Sequence, residues 1–298
     1  MNTGKVQLFA EIGIIIITII WGIAFVVVKD SLDLIPPVYM VAFRFTLAAI
    51  FLAVIFVKKL RLLSKQYLLS GAVTGIFLFL GYFLQTIGLE DTQAGVSAFL
   101  TTVYVVWSPF LAWLIHKKKP EKQCVAAAFI AVAGIGLLSL NQSFQMGQGE
   151  MLTLLCGVAF ALHMVFLDKF AKEQDPILLT ILQMAVVAIL GWVLAPVCDG
   201  KMPADMIGGD GFWQAVLYLG LLSTGVAFLL QNVAQRFIPV TTTAILLSME
   251  SVFGALFSVL LLSEHMGGRK IVGCVLLFGA VITAQVKVQR GKASWNKP

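Results

Sequence analysis

Residues 82–100, YFLQTIGLEDTQAGVSAFL, lie without a gap on residues 228–246, FLLQNVAQRFIPVTTTAIL. Gln85 falls on Gln231, Ser97 on Thr243 and Ala98 on Ala244. The identity is low. The match gains weight because hydropathy and charge divide the chain at the same place. Around these stretches the chain reads as two sets of five apolar spans. An odd count leaves the second set inserted upside down relative to the first. Such an inverted repeat is the pattern of a secondary transporter with its site near the bilayer midplane.

Of the 298 residues, 59% are hydrophobic and only 12% charged, and the mean hydropathy is +0.95. About a quarter of the residues of an ordinary soluble domain are charged. Apolar stretches of about 18 residues or more read as membrane helices. Ten are expected, at 8–28, 36–57, 67–88, 95–115, 123–140, 150–168, 177–197, 212–232, 241–262 and 270–287. The expected fold is therefore an all-α integral membrane protein, ten transmembrane helices arranged as two inverted five-helix repeats. One membrane domain fills residues 1–298, with repeats at 8–140 and 150–287. The longest connection, Cys198–Gly211, is a short polar loop. The first span exceeds the roughly 7–15-residue apolar region of a signal peptide. Lys29 and Asp30 follow it, not a small-residue cleavage site.

The formal charge of +6 and pI near 9.2 could point to nucleic acid, but the distribution points to a membrane. With the N-terminus in the cytoplasm, the segments on that side hold Lys5, Lys58, Lys59, Arg61, Lys65, Lys117, Lys118, Lys119, Lys122, Lys169, Lys172, Arg236, Lys287, Arg290, Lys292 and Lys297. The other side holds only Lys29, Lys201, Arg269 and Lys270. This is the positive-inside asymmetry. It places the chain in the cell membrane with both termini cytoplasmic, its basic loops against anionic lipid heads. The expected partners are a small-molecule substrate and membrane lipids, with no nucleic acid. Pairing with a second copy as a homodimer is left open.

No P-loop, H-E-x-x-H or G-x-S-x-G motif occurs. The cysteines Cys124, Cys156, Cys198 and Cys274 are scattered singly and read as small packing residues. No enzyme activity, metal or cofactor is expected, and any transport would draw its energy from a gradient or from the solute itself.

A charge at bilayer depth costs at least about 2.5–3.5 kcal/mol, so it is usually paired or faces a cavity. Arg44 and Glu250 are two such charges. Thr243, Glu250, Gly254 and Ser258 share one helical stripe, and Ser97, Thr101, Tyr104, Ser108 and Ala112 form the corresponding stripe of the fourth span. These stripes read either as the walls of a wet cavity or as helix contact faces. For Glu250 the cavity reading is favoured, because a contact face needs no carboxylate. Arg44 reads as a structural ion-pair member or as a clamp for a carboxylate. Gln85 and Gln231 offer donors and acceptors at repeat-related places, on stripes with Thr74 and Gly81 and with Thr224. They too could simply bond a neighbouring helix. His163 is read as a proton relay or substrate contact, or as a neutral imidazole on a carbonyl. Trp21 lies too deep for an interfacial anchor and either packs the core or stacks on a substrate.

WGIAFVVVK (21–29), FRFTLAA (43–49), FLQTIGLEDTQAGVSAFLTTVYVVWSPFLAWL (83–114) and LLSMESVFGALFSVLLLSE (246–264) together resemble the EamA-type branch of the drug/metabolite transporter superfamily, over about residues 10–287. The resemblance implies a ten-helix carrier or exporter of small metabolites, often amino acids and related compounds. By likeness of position it favours Trp21, Arg44, Gln85, Tyr104 and Glu250 as cavity residues. One departure is visible: many relatives carry a proline directly after the glutamate of span nine, where this chain has Ser251. A helix break is then expected at Pro109 rather than beside Glu250. A lipid translocator or non-transporting scaffold is the competing class, and would need an apolar lateral groove.

Overall fold

The structure, a computed structural model, describes residues 3–117, 119–120, 122–139, 145–171, 173–234 and 246–285. Thr243 and Ala244 of the repeat comparison lie outside these residues. So do the start of span nine, the last residues of span ten, and Lys118, Lys172, Arg236, Lys287, Arg290, Lys292 and Lys297. Among the described residues the fold is helical throughout, without a strand. The helices are α1 (Thr3–Ser31), α2 (Pro37–Ile55), α3 (Lys65–Asp91), α4 (Ala94–Thr102), α5 (Tyr104–His116), α6 (Lys122–Ser139), α7 (Gln148–Ala171), α8 (Pro176–Cys198), α9 (Phe212–Leu217), α10 (Ala227–Ala234), α11 (Met249–Leu262) and α12 (Gly268–Gln285). A π-helical segment, Tyr218–Val226, joins α9 to α10.

Among the described residues, seven segments are long and apolar enough to cross a bilayer: Leu8–Ser31, Pro37–Ile55, Lys65–Asp91, Ala94–Ile115, Gln148–Ala171, Pro176–Cys198 and Phe212–Ala234. Lys122–Leu138 and Met249–Leu262 are shorter apolar helices. Large apolar side chains stay uncovered on the outside, Phe129 at 74% and Val197 at 77% exposure. Water would not tolerate so much apolar surface. This is a multi-pass membrane protein.

Local chemistry sets the helix ends. Pro37 opens α2 and Pro176 opens α8, both at the first turn, where a missing N–H costs nothing. Asp175 caps α8, accepting from the amides of Ile177 at 3.0 Å and Leu178 at 3.3 Å, and meets Lys59 Nζ at 2.6 Å. Burial pushes the Asp175 carboxyl up, but the Lys59 ammonium and those two amides outweigh it and hold it below its ordinary value. At the opposite end, Asp199 accepts from the amides of Val38 (2.8 Å) and Tyr39 (3.0 Å). Glu264 accepts there from those of Ala94 (2.8 Å) and Gly95 (3.2 Å). Asp199 and Glu264 thus satisfy orphan amides of helices from the other half of the chain.

Packing runs chiefly between halves. α3 lies on α7 and α8, α2 on α8 and the π segment, α1 on α11 and α10, α4 on α11 and α7, and α6 on α12. The α1–α11 crossing is close because Gly22 carries no side chain there. A Cβ on Gly22 would stand 2.6 Å from Phe253 Cβ and 2.9 Å from Gly254 N.

The fourth span is interrupted, but at Val103 rather than at Pro109, which sits inside α5. Span nine is interrupted as well, two residues before Glu250. Ser248 separates Leu246–Leu247 from α11 without any proline, and the Ser251 hydroxyl donates to the Ser248 carbonyl at 2.8 Å. A serine that captures a nearby carbonyl competes with the helical ladder, so proline is not required.

Candidate functional site

α1, α2, α3, α7, α10, the α4–α5 pair and the segment ending in Glu250 enclose one cavity of about 680 Å³, mouth included. Trp21, Arg44, Gln85, Tyr104, His163, Gln231 and Glu250 all line it. Seven side chains spread from Trp21 to Glu250 in sequence therefore meet around one space.

Arg44 is 2% exposed and Glu250 5%. Among the described residues they do not pair, since the ion pair there is Lys59–Asp175. Arg44 instead donates from Nε to Thr224 Oγ1 at 3.0 Å and from Nη2 to Ser223 Oγ at 3.2 Å. Its guanidinium carbon lies 4.7 Å from the Tyr82 ring centroid. Both hydroxyls come from the π segment. A π turn shifts the i→i+4 ladder and brings adjacent residues to one face, a common device at functional sites. The same turn presents the Ser223 carbonyl to Trp21 Nε1 at 2.8 Å, which fixes the indole. Held by neutral hydroxyls and an aromatic face, Arg44 keeps a net positive charge at the cavity wall and can take a carboxylate.

Tyr104 and Glu250 both line the cavity, near enough for phenol and carboxyl to interact. The offset that pairs Gln85 with Gln231 also pairs Tyr104 with Glu250. These repeat mates thus share one cavity wall, and each follows an interruption of its span, at Val103 and Ser248. Helix ends that open inside a membrane protein leave backbone groups free only where protein or a cavity satisfies them.

Gln85 Nε2 donates to Thr101 Oγ1 at 3.1 Å. The Oε1 of Gln231 is buried without a partner among the described residues. His163 Nε2 lies 2.8 Å from Gln183 Oε1, so this imidazole has a glutamine as its partner rather than a backbone carbonyl. Trp21, Tyr82, Phe160 and Phe228 supply the apolar walls.

The small-residue stripes divide. Thr101 and Tyr104 line the cavity, as does Glu250. Gly254 and Ser258 belong to a helix contact instead: a Cβ on Gly254 would stand 2.5 Å from Ala98 Cβ, and Ser258 Oγ lies where a Cβ on Gly95 would go. The lower part of the stripe is thus a packed seam rather than a cavity wall. Sequence reasoning missed Tyr82, Phe160 and Ser223. The one available signal was Thr224, whose serine neighbour shares the charge of Arg44.

The profile of the EamA-like transporter family matches residues 8–140 and again 147–284. An uncharacterized transporter of Archaeoglobus fulgidus is 31% identical over 96% of this chain and 88% of its own length. A probable amino-acid metabolite efflux pump of Salmonella typhimurium is 23% identical over 90% of this chain and 91% of its own. A solved crystal structure superposes with a TM-score of 0.68 over 96% of this chain and 98% of that one, at 16% identity, a likeness of fold alone.

Proposed function

The chain belongs to the EamA-like transporter family, and within it we propose a secondary transporter, an exporter, that carries a small zwitterionic metabolite of the amino-acid class by alternating access. One observation carries the reading: a single cavity, walled by helices from both halves, holds both Glu250 and an arginine that has no carboxylate partner among the described residues. Arg44 clamps the substrate carboxylate, Glu250 and the Gln231 carbonyl receive the ammonium, and the aromatic walls cover the side chain. Export accords with the names of the relatives from Salmonella typhimurium and Escherichia coli, each a probable amino-acid metabolite efflux pump at 23% identity.

The proposal includes ten spans in two inverted repeats, residues 8–140 and 150–287, in the cell membrane with both termini cytoplasmic. The packing supports it. Exchanging the halves turns the α3–α7 contact into α10–α1, the α1–α11 contact into α7–α4 and α3–α8 into the π segment against α2. The pairs α2–α8, α6–α12 and α4–α11 map onto themselves. A two-fold arrangement requires such closure, and two rigid halves around a central site are what alternating access moves.

The test is counterflow in proteoliposomes with pooled labelled amino acids. Wild type should exchange part of the pool. Glu250→Gln should insert normally and lose transport or its pH dependence, and Arg44→Met should lose it at any pH. Full, pH-dependent exchange by Glu250→Gln refutes the role of the carboxylate.

A further inference from the structure

The aromatic wall of the cavity has a recess in it. Gly81 on α3 faces Phe160 on α7, and a Cβ there would stand 2.5 Å from Phe160 Cε1, 2.6 Å from Cδ1 and 2.9 Å from Cζ. Carbon atoms in contact lie about 3.5–4.0 Å apart. The ring edge therefore occupies the volume of the missing methyl. On its other flanks, Phe160 meets Tyr82 edge-on at 5.3 Å between centroids and packs against the Tyr104–Ala161–Val281 cluster. The ring also lines the cavity.

We propose that Gly81 sets the upper size limit of the substrate side chain by letting the Phe160 ring withdraw from the cavity into the surface of α3. The inference rests on the transport reading above, and adds the specificity determinant. Gly81 was noticeable in the sequence only as a stripe mate of Gln85, and it does not line the cavity itself. It acts through Phe160.

Adding the methyl with Gly81→Ala forces the ring about 1 Å away from α3 to restore carbon contact. Tyr82 cannot yield easily, because its face carries the Arg44 guanidinium at 4.7 Å and its edge meets Phe45 at 4.8 Å between centroids. The ring then moves into the cavity. Pockets discriminate by about tenfold or more for a mismatch of one methylene, so bulky side chains should lose at least that much while small ones keep their rate. Removing the ring with Phe160→Val deletes the three atoms nearest to the new methyl. In the Gly81→Ala background it should restore bulky substrates, and alone it should admit them better than wild type does.

The measurement is counterflow of L-alanine, L-leucine and L-tryptophan in proteoliposomes of wild type, Gly81→Ala, Phe160→Val and the double variant, at matched amounts of folded protein. The expected result is a tryptophan-to-alanine ratio at least about tenfold lower in Gly81→Ala, with the double variant at or above wild type. A ratio unchanged within twofold in Gly81→Ala, an equal loss of all three substrates, or no recovery in the double variant overturns the proposal. If Gly81→Ala does not fold, Phe160→Val decides: a raised ratio supports the size limit, an unchanged one overturns it. A wild type that moves none of the three refutes the substrate class itself, a result distinct from any of these.

Discussion

Gly254→Ala probes the crossing of α1, α4 and α11 beneath the cavity. Its new Cβ would stand 2.5 Å from Ala98 Cβ, about 1 Å inside carbon contact. α11 is also closely packed on α1, where a Cβ built on Gly22 would stand only 2.9 Å from Gly254 N. Overpacking of this kind costs about 1–3 kcal/mol. The next neighbours of the new methyl are Phe25 Cδ2 at 3.6 Å and Ala98 Cα at 4.0 Å, both ordinary contacts. Moving the methyl across the seam, with Ala98→Gly in the same chain, should therefore remove the clash. The helix-propensity changes of the two substitutions are opposite in sign and cancel in the double variant. The pair should accordingly show a coupling of about 1–3 kcal/mol in a double-mutant cycle, read as melting temperature in detergent. Additivity within about 0.5 kcal/mol would refute the close seam, and would return Gly254 to the cavity wall.

Replacing Ser223 by Ala together with Thr224 by Val strips Arg44 of both hydroxyl partners. Each lost partner of a buried charged donor costs about 1–3 kcal/mol, so melting should fall steeply and counterflow of zwitterions should lose affinity before rate. Lys59→Met removes the ion pair to Asp175. Because Lys59 is 37% exposed, the loss at neutral pH should stay under about 1 kcal/mol. The Asp175 carboxyl lies below its ordinary value, so this stabilisation is present above about pH 4 and disappears as the pH falls further. Melting curves of wild type and variant should converge in acid. Reporter fusions after Ser64 and Lys119 should read as cytoplasmic and one within Cys198–Gly211 as external; the reverse pattern would refute the orientation.

Much of the site was legible because charge is costly in an apolar chain. Arg44 and Glu250 stand out from their neighbours by chemistry alone, and the repeat offset singled out Gln85 and Gln231. The aromatic and hydroxyl partners were not legible. Helices apolar on nearly every side carry no periodicity that says which phenylalanine faces a cavity. Gly254 shows a related limit: a cavity wall and a close helix crossing both ask for small residues, and only the Ala98 and Gly22 neighbours tell them apart. The interruptions at Val103 and Ser248 and the π turn at Tyr218–Val226 involve residues that fit a regular helix equally well. The π turn bonds across the two halves, to Trp21 and Arg44, and Ser248 is held locally by the Ser251 hydroxyl.

The central claim is one cavity between the halves, opened alternately to either side. It is tested by single cysteines at Leu89 and Leu247, both of which line the cavity, in a chain with its four native cysteines replaced. An impermeant thiol reagent is applied from each face of oriented membranes, with and without the transported amino acid. The account predicts that each site is labelled from its own face, and that substrate raises one rate while lowering the other. Labelling of both sites from one face only, unchanged by substrate, would contradict it.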